Sequence, residues 1–236
     1  MKYDIEMHRY AKKKYLTLTV IISFCFPTFF ARGHQDQLQI TCAKILTTFL
    51  PEIRVSGGEK IEEKKFLVQG VEYSTHLRLG WSSSKVYLVT DAIRNKFILK
   101  DYGNKGDAWH RAVVIREELA TRFLRLHGFE VPAVIATDVE KGIIVKAYVF
   151  GATRSEISDL HGEGKISDRE LEYLRRNLGN VKARIKSLEP QFKSWLSAEG
   201  KQIDWAFEFR WINKFDLSDN NFLVTPENSH WVLIDP

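Results

Sequence analysis

One segment constrains the fold more than any other: "WHRAVVIREELATRFLRLHGF" (Trp109–Phe129). Val113, Val114, Ala120, Phe123, Leu124 and Leu126 recur at helical spacing, and Gly128 supplies a stop. The runs on either side have a different period. From Phe66 onward come "VEYSTHLRLG" (Val71–Gly80), "KVYLVTD" (Lys85–Asp91) and "KFILKDY" (Lys96–Tyr102), all short strand patterns. After the helix, "VPAVIATDVEKGIIVKAYVFGAT" (Val131–Thr153) reads as two strands joined by a turn at Glu140–Gly142. A helical half follows. "SDRELEYLRRNLGNVKARIKSL" (Ser167–Leu188) opens with a Ser N-cap and an acidic first turn, and Leu171, Leu174, Leu178, Val181, Ile185 and Leu188 form its apolar stripe. Trp195, Trp205 and Trp211 are expected in the core. Strands around a single helix, then helices, predict the α+β class.

The first 33 residues read differently. Lys12, Lys13 and Lys14 precede 16 mostly apolar residues, Tyr15–Phe30, and Ala31 and Gly33 place small residues where a signal peptidase reads. The run falls short of the roughly 20 residues of a full membrane span. It predicts a basic-hydrophobic leader, either a signal peptide or an anchor with membrane contact. That favours a secreted or membrane-associated protein over a cytoplasmic one. The competing reading makes the run a buried helix or strand of the fold, or places the true start further on. Asp36–Leu50 carries apolar residues near helical spacing and is expected to be a helix ended by Pro51. "VSGGEKIEEKK" (Val55–Lys65) is a polar linker and the expected domain boundary.

Hydrophobic residues at 44% and charged residues at 28% are a globular balance. A net charge of +5 leans toward anionic partners such as nucleotides, phosphates or acidic lipids. Nucleic acid is not expected, because Lys and Arg are interspersed with acids and neither a zinc spacing nor an RNA-binding aromatic signature occurs. Cys25 and Cys42 support neither a disulfide framework nor a Cys-based metal site, and read as small buried hydrophobes.

Chemistry-bearing residues fall at element ends. The turn Gly80–Ser84 is small and polar, which lets backbone amides approach a phosphate closely; most such turns are only hairpins. Lys100 follows the apolar Phe97, Ile98 and Leu99, so if the strand is buried it needs a partner. On an edge strand it would simply face solvent. Glu117 and Glu118, mid-helix, are the candidate partners, with surface pairing to Thr121 or Arg122 as the alternative. Near the end of the chain, Asp216 and Asn221 stand five apart before an apolar run, and a second apolar run delivers Asp235.

In this order, "LGWSSSKVYLV", "KFILK", "REELATRFLRLHGFEVPAV", "YVFGAT", "DLSDNNFLV" and "VLIDP" resemble the protein-kinase-like superfamily. The style is nearest its aminoglycoside-phosphotransferase-like and atypical effector or secretory branches. The resemblance covers about Val71 to Pro236. It implies a two-lobed fold: an N-lobe over 66–152, with an antiparallel sheet and an αC-type helix, and a reduced C-lobe over 153–236. It also implies a phosphotransferase using ATP and Mg, with a hydroxyl acceptor on a protein or small molecule. In that scheme Gly80, Ser82, Ser83, Ser84, Lys100 and Ala147 contact the nucleotide. Glu118 orients Lys100, its position 14 residues before Pro132 being the better register, with Glu117 second. Asp216 accepts the acceptor proton, and Asn221 and Asp235 bind the metal. The sequence departs from the family in three ways. Lys214-Phe215 stands where His-Gly or His-Arg is usual, the phosphate turn has a single glycine, and the segment after the metal Asp is missing. The last predicts a C-terminally truncated lobe. These departures keep two further readings open: a catalytically weak or inactive nucleotide-binding pseudokinase or scaffold, and an unrelated α+β binding module in which Lys100 and the acids are surface charges.

Overall fold

The structure, a computed structural model, describes residues 36–50, 59–81, 84–103, 108–199 and 214–236. The expected leader, Cys25, Ser82, Ser83, Trp205 and Trp211 lie outside the described residues. The chain divides into two units, Met1–Thr41 and Cys42–Pro236. Residues 36–50 form helix α1. In the second unit Cys42, Leu46 and Leu50, spaced by four, are buried, whereas Ile40, expected on the same apolar face, is 56% exposed. Burial, with the nearby charge of Glu170, pushes the Cys42 thiol up to about 12, so it is a packed apolar group and not a reactive one. No helix among the described residues is long and apolar enough to cross a membrane.

The sheet is antiparallel throughout. Its strands are β1 (Glu59–Lys60), β2 (Lys65–Val68), β3 (Val71–Trp81), β4 (Lys85–Thr90), β5 (Lys96–Asp101), β6 (Val134–Asp138) and β7 (Ile143–Ala147). The order is β1-β3-β4-β5-β7-β6, with β2 also paired to β3. Helix α2 (Ala108–Leu126) falls between β5 and β6 in the chain. The two-residue strand period sorts the side chains. Val68, Tyr73, Tyr87, Val89, Leu99, Ala136, Ile143 and Val145 form one buried cluster. The intervening residues of β5 and β7 face the other way, where Ile144 and Tyr102 meet Val114 of α2.

Helix α2 stops by the expected chemistry. Gly128 has φ 76°, Phe129 N–H bonds the Leu124 carbonyl at 3.0 Å, and Gly128 N–H bonds Arg125 at 3.1 Å. These are the paired bonds of a Schellman end. Leu126, expected on the apolar side, lies in the last turn and is 70% exposed.

Helices α3 (Arg154–Gly162), α4 (Asp168–Lys186) and α5 (Glu189–Glu199) follow. Thr153 with Glu156 and Ser167 with Glu170 form capping boxes, the second at the N-cap read from the sequence. A 3₁₀ turn (Asp219–Asn221) leads into the hairpin β8 (Phe222–Val224) and β9 (Trp231–Leu233). Trp231 Nε1 anchors it to α4 by donating to the Leu174 carbonyl at 2.9 Å. Ala152 exchanges two backbone bonds with Val224, at 2.8 and 2.9 Å. This close approach requires Gly151, where a Cβ would sit 2.7 Å from the Val224 carbonyl oxygen. The connector after β7 is thereby fastened to the hairpin. The expected α+β architecture is present: an antiparallel sheet, one helix across it and a helical second part.

Candidate active site

Register aligns the site. Gly80 pairs with Val86, Val86 with Lys100, and Lys100 with Ile144, in one row across β3, β4, β5 and β7. Lys100 therefore points to the α2 side of the sheet, with Tyr102 two residues on and Lys146 two residues beyond Ile144. Helix α2 offers Glu117 to this face. Its carboxylate is 1% exposed and accepts three donors: Lys100 Nζ at 2.9 Å and Lys146 Nζ at 2.8 Å, both on Oε1, and Tyr102 Oη at 2.8 Å on Oε2. Lys100 Nζ also meets Asp235 Oδ1 at 2.7 Å. Lys146 Nζ donates in addition to the Ile234 carbonyl at 2.7 Å.

The electrostatics follow from this sharing. Burial alone would raise Glu117, but two ammonium groups hold it far below the ordinary carboxylate range. Burial works against the charge on Lys100, yet the Glu117 and Asp235 carboxylates outweigh it and hold that lysine above its usual value. Lys146 goes down: it is buried, it touches one carboxylate and it is repelled by Lys100. Tyr102 is driven up by burial and by the Glu117 charge, and so stays a neutral donor.

Glu118, expected to orient Lys100, does not reach it; it is exposed. Consecutive helical residues are about 100° apart. Glu117 shares the buried face of Val114, Ala120, Thr121 and Leu124, while Glu118 lies on the exposed side with Arg122 and Arg125. Helical phase decides between them, against the register counted from Pro132.

Helix α2 holds the start of the Asp216 loop and the residue after Asp235. Arg116 donates to the carbonyls of Lys214 and Pro236. Phe215 is buried and stacks on Phe192 of α5 at 4.7 Å and Phe123 of α2 at 6.3 Å. The chain thus anchors this loop with the aromatic ring of Phe215 and the Lys214 backbone carbonyl. Asp216 is exposed, and its Oδ1 accepts the Ser218 N–H at 3.0 Å. The partial burial of Asp216 opposes ionisation, but bonds from Ser218 and Asn221 and the Arg116 charge lower its pKa overall. Asn221 Nδ2 donates to the Asp216 carbonyl at 3.2 Å, and the Asn221 carbonyl accepts the Ile234 N–H at 2.8 Å. Asn221 and Asp235 thus stand at one end of the β8–β9 hairpin. Beside them Asp219 pairs with Arg154 and Lys182.

Asn221 and Asp235 supply hard oxygen donors. Among the described residues no group of three or more His, Cys, Asp or Glu could hold a metal ion. The set fits a cation that takes most of its ligands from phosphate and water, as magnesium does, and not an all-protein cage.

The remaining nucleotide-contact candidates are scattered. Gly80 shares the Lys100 row, and Ser84 is buried at the start of β4. Ala147 ends β7 on the opposite face from Lys146, and its N–H is bonded to the Ala133 carbonyl at 2.8 Å. Two site residues went unforeseen in the sequence. Arg116 works through contacts about a hundred residues away, which local pattern does not show. Lys146 did leave a trace: it interrupts the apolar run of "GIIVKAYV" and shares a strand face with Ile144.

No protein-family model matches the chain, and no curated protein does. Among solved structures the chain is similar to the Rio2 kinase of Chaetomium thermophilum in its complex with ADP/Mg2+-phosphoaspartate. Identity is 16% and the TM-score 0.44, over 80% of this chain and 60% of that one. The chain thus spans less than two thirds of the kinase it matches.

Proposed function

We propose that the protein binds Mg-ATP and transfers its γ-phosphoryl group to a hydroxyl acceptor. The observation that carries this reading is the meeting of three distant residues. The strand lysine Lys100 is bonded to the helix carboxylate Glu117 at 2.9 Å and to Asp235, after β9, at 2.7 Å. Phosphoryl transfer needs a cation on the phosphates, a carboxylate for the metal and a base beside the acceptor. In this reading the sheet and α2, over 66–152, hold the nucleotide, and 153–236 carries the acceptor base and metal ligands. Lys100 contacts the phosphates, Glu117 orients it, and Asn221 and Asp235 hold the cation. A bound magnesium supplies charge neutralisation on the phosphate oxygens. The acceptor oxygen attacks the γ-phosphorus, the bond to the ADP oxygen breaks, and Asp216, exposed and ionised at neutral pH, takes the hydroxyl proton.

Thermal melting with and without Mg-ATP tests it. Ligand at 100 times its Kd adds about 2.7 kcal/mol, or about 5–10 °C for a domain of this size. The shift is expected in the wild type and absent in Asp235→Ala, while Asp216→Ala keeps the shift and loses phosphoryl transfer. A well-folded wild type that does not respond to Mg-ATP sinks the reading.

A second reading, a nucleotide-binding protein with weak or no catalysis, draws on the Asp235 oxygen engaged by Lys100 and on Lys214-Phe215 ahead of Asp216. It predicts the same stabilisation without turnover.

A further inference from the structure

Lys146 has no part in the chemistry just set out. It is 1% exposed, on a strand face where its neighbour Ile144 packs as an ordinary hydrophobe. Burying an ammonium group is costly unless its bonds do something a methionine could not. Its two acceptors belong to different parts of the molecule: Glu117 lies on α2, and the Ile234 carbonyl lies in the segment leaving β9. That carbonyl is half of the peptide group joining Ile234 to Asp235, so fixing it fixes the direction in which Asp235 departs. The same ammonium keeps a cation on Glu117 Oε1 whether or not Lys100 stays there, and Tyr102 holds Oε2.

We propose that Lys146 is a positioning residue: it clamps Glu117 and the Ile234–Asp235 peptide, so that Asp235 faces a divalent cation and Lys100 can turn to nucleotide phosphates. This deepens, and rests on, the Mg-ATP reading above. It divides labour between two lysines that share one carboxylate oxygen. Lys146 is the fixed one, its second acceptor being the backbone carbonyl of Ile234. Lys100 is the exchangeable one, because its second partner, Asp235, is 36% exposed and is itself a cation ligand in this scheme.

Calorimetric titration of ATP into the full chain, in EDTA and then at stepped Mg2+, separates the two roles. Loss of groups that orient a metal ligand typically weakens metal affinity 10–100-fold. Lys146→Met should therefore lose more in the Mg2+ step than in EDTA, needing about tenfold more Mg2+ for half-maximal tightening. Lys146→Arg, which keeps donors for both acceptors, should restore most of the Mg2+ response. Lys100→Met should show the opposite pattern, with weakened binding already in EDTA. A folded Lys146→Met with the wild-type Mg2+ midpoint overturns the proposal, whatever its melting temperature. Should Lys146→Met not fold, Lys146→Gln, which retains one donor, is read in the same way. A wild type that binds no ATP in either condition instead overturns the nucleotide reading, and this inference with it.

Discussion

Replacing Glu117 by alanine strands the lysines it joins. Lys100 keeps Asp235 at 2.7 Å, but Lys146 is left with one neutral carbonyl and Tyr102 loses its acceptor. Removing one partner of a buried pair costs about 3–5 kcal/mol. An independent bound agrees. A stranded lysine can always escape by losing its proton, and from an ordinary value of 10.5 that costs about 5 kcal/mol at pH 7, at about 1.4 kcal/mol per unit. The fall in Tm is then about 6–20 °C for a domain of this size. The escape route also gives a signature. In the variant Lys146 has a folded-state pKa depressed below its unfolded value, so the unfolded chain binds more protons and stability rises with pH. At pH 9 the ceiling drops to about 2 kcal/mol. Urea unfolding of wild type and Glu117→Ala at pH 7 and pH 9, followed by circular dichroism, measures both. The double variant Glu117→Ala with Lys146→Met should be more stable than Glu117→Ala alone at pH 7. A penalty below about 1 kcal/mol, or one unchanged between the two pH values, would refute the account of the buried ion cluster.

Two further outcomes follow from the same geometry. Glu117 in the wild type is held far below its ordinary 4.5, so its contribution is present above that value and is lost as pH falls beneath it, by up to about 1.4 kcal/mol per pH unit; urea unfolding from pH 6 to pH 3 should show this slope, and Glu117→Gln should lack it. Phe215→Ala empties the ring stack on Phe192 and Phe123 and should cost about 3–5 kcal/mol in urea unfolding, with faster proteolysis of the 216–221 loop; a loss under about 1 kcal/mol would show that the stack does not hold the loop.

The elements were legible because local chemistry writes them. The Val113–Leu124 periodicity, the Gly128 stop and the Ser167 cap each act within a few residues, and each stands where the sequence places it. What was lost concerns phase and distance. Glu117 and Glu118 are equivalent by spacing from Pro132 within one residue, and only the buried face of α2 separates them. Lys146 becomes a site residue once β5 pairs with β7 so that Ile98 faces it and Ile144 faces Lys100, a register set by tertiary structure. Phe215 is buried because its ring is recruited by Phe192 of α5, which no local rule foretells.

Helix α2 carries Arg116, Glu117 and Phe123 within eight residues, and each grips a different piece of the site: the backbone at Lys214 and Pro236, the two strand lysines and the Phe215 ring. Their angular offsets are fixed by the helix screw at about 100° per residue. Inserting or deleting one residue between Glu117 and Phe123 would turn the aromatic contact away from the ion cluster by that angle, and no rotamer change restores both. Strand β3, by contrast, already absorbs two register shifts between Thr75 and Gly80. Through descent, length variation is therefore expected to accumulate in β3 and to be barred from the middle of α2. In this fold the helix is a ruler, and β3 is the adjustable part.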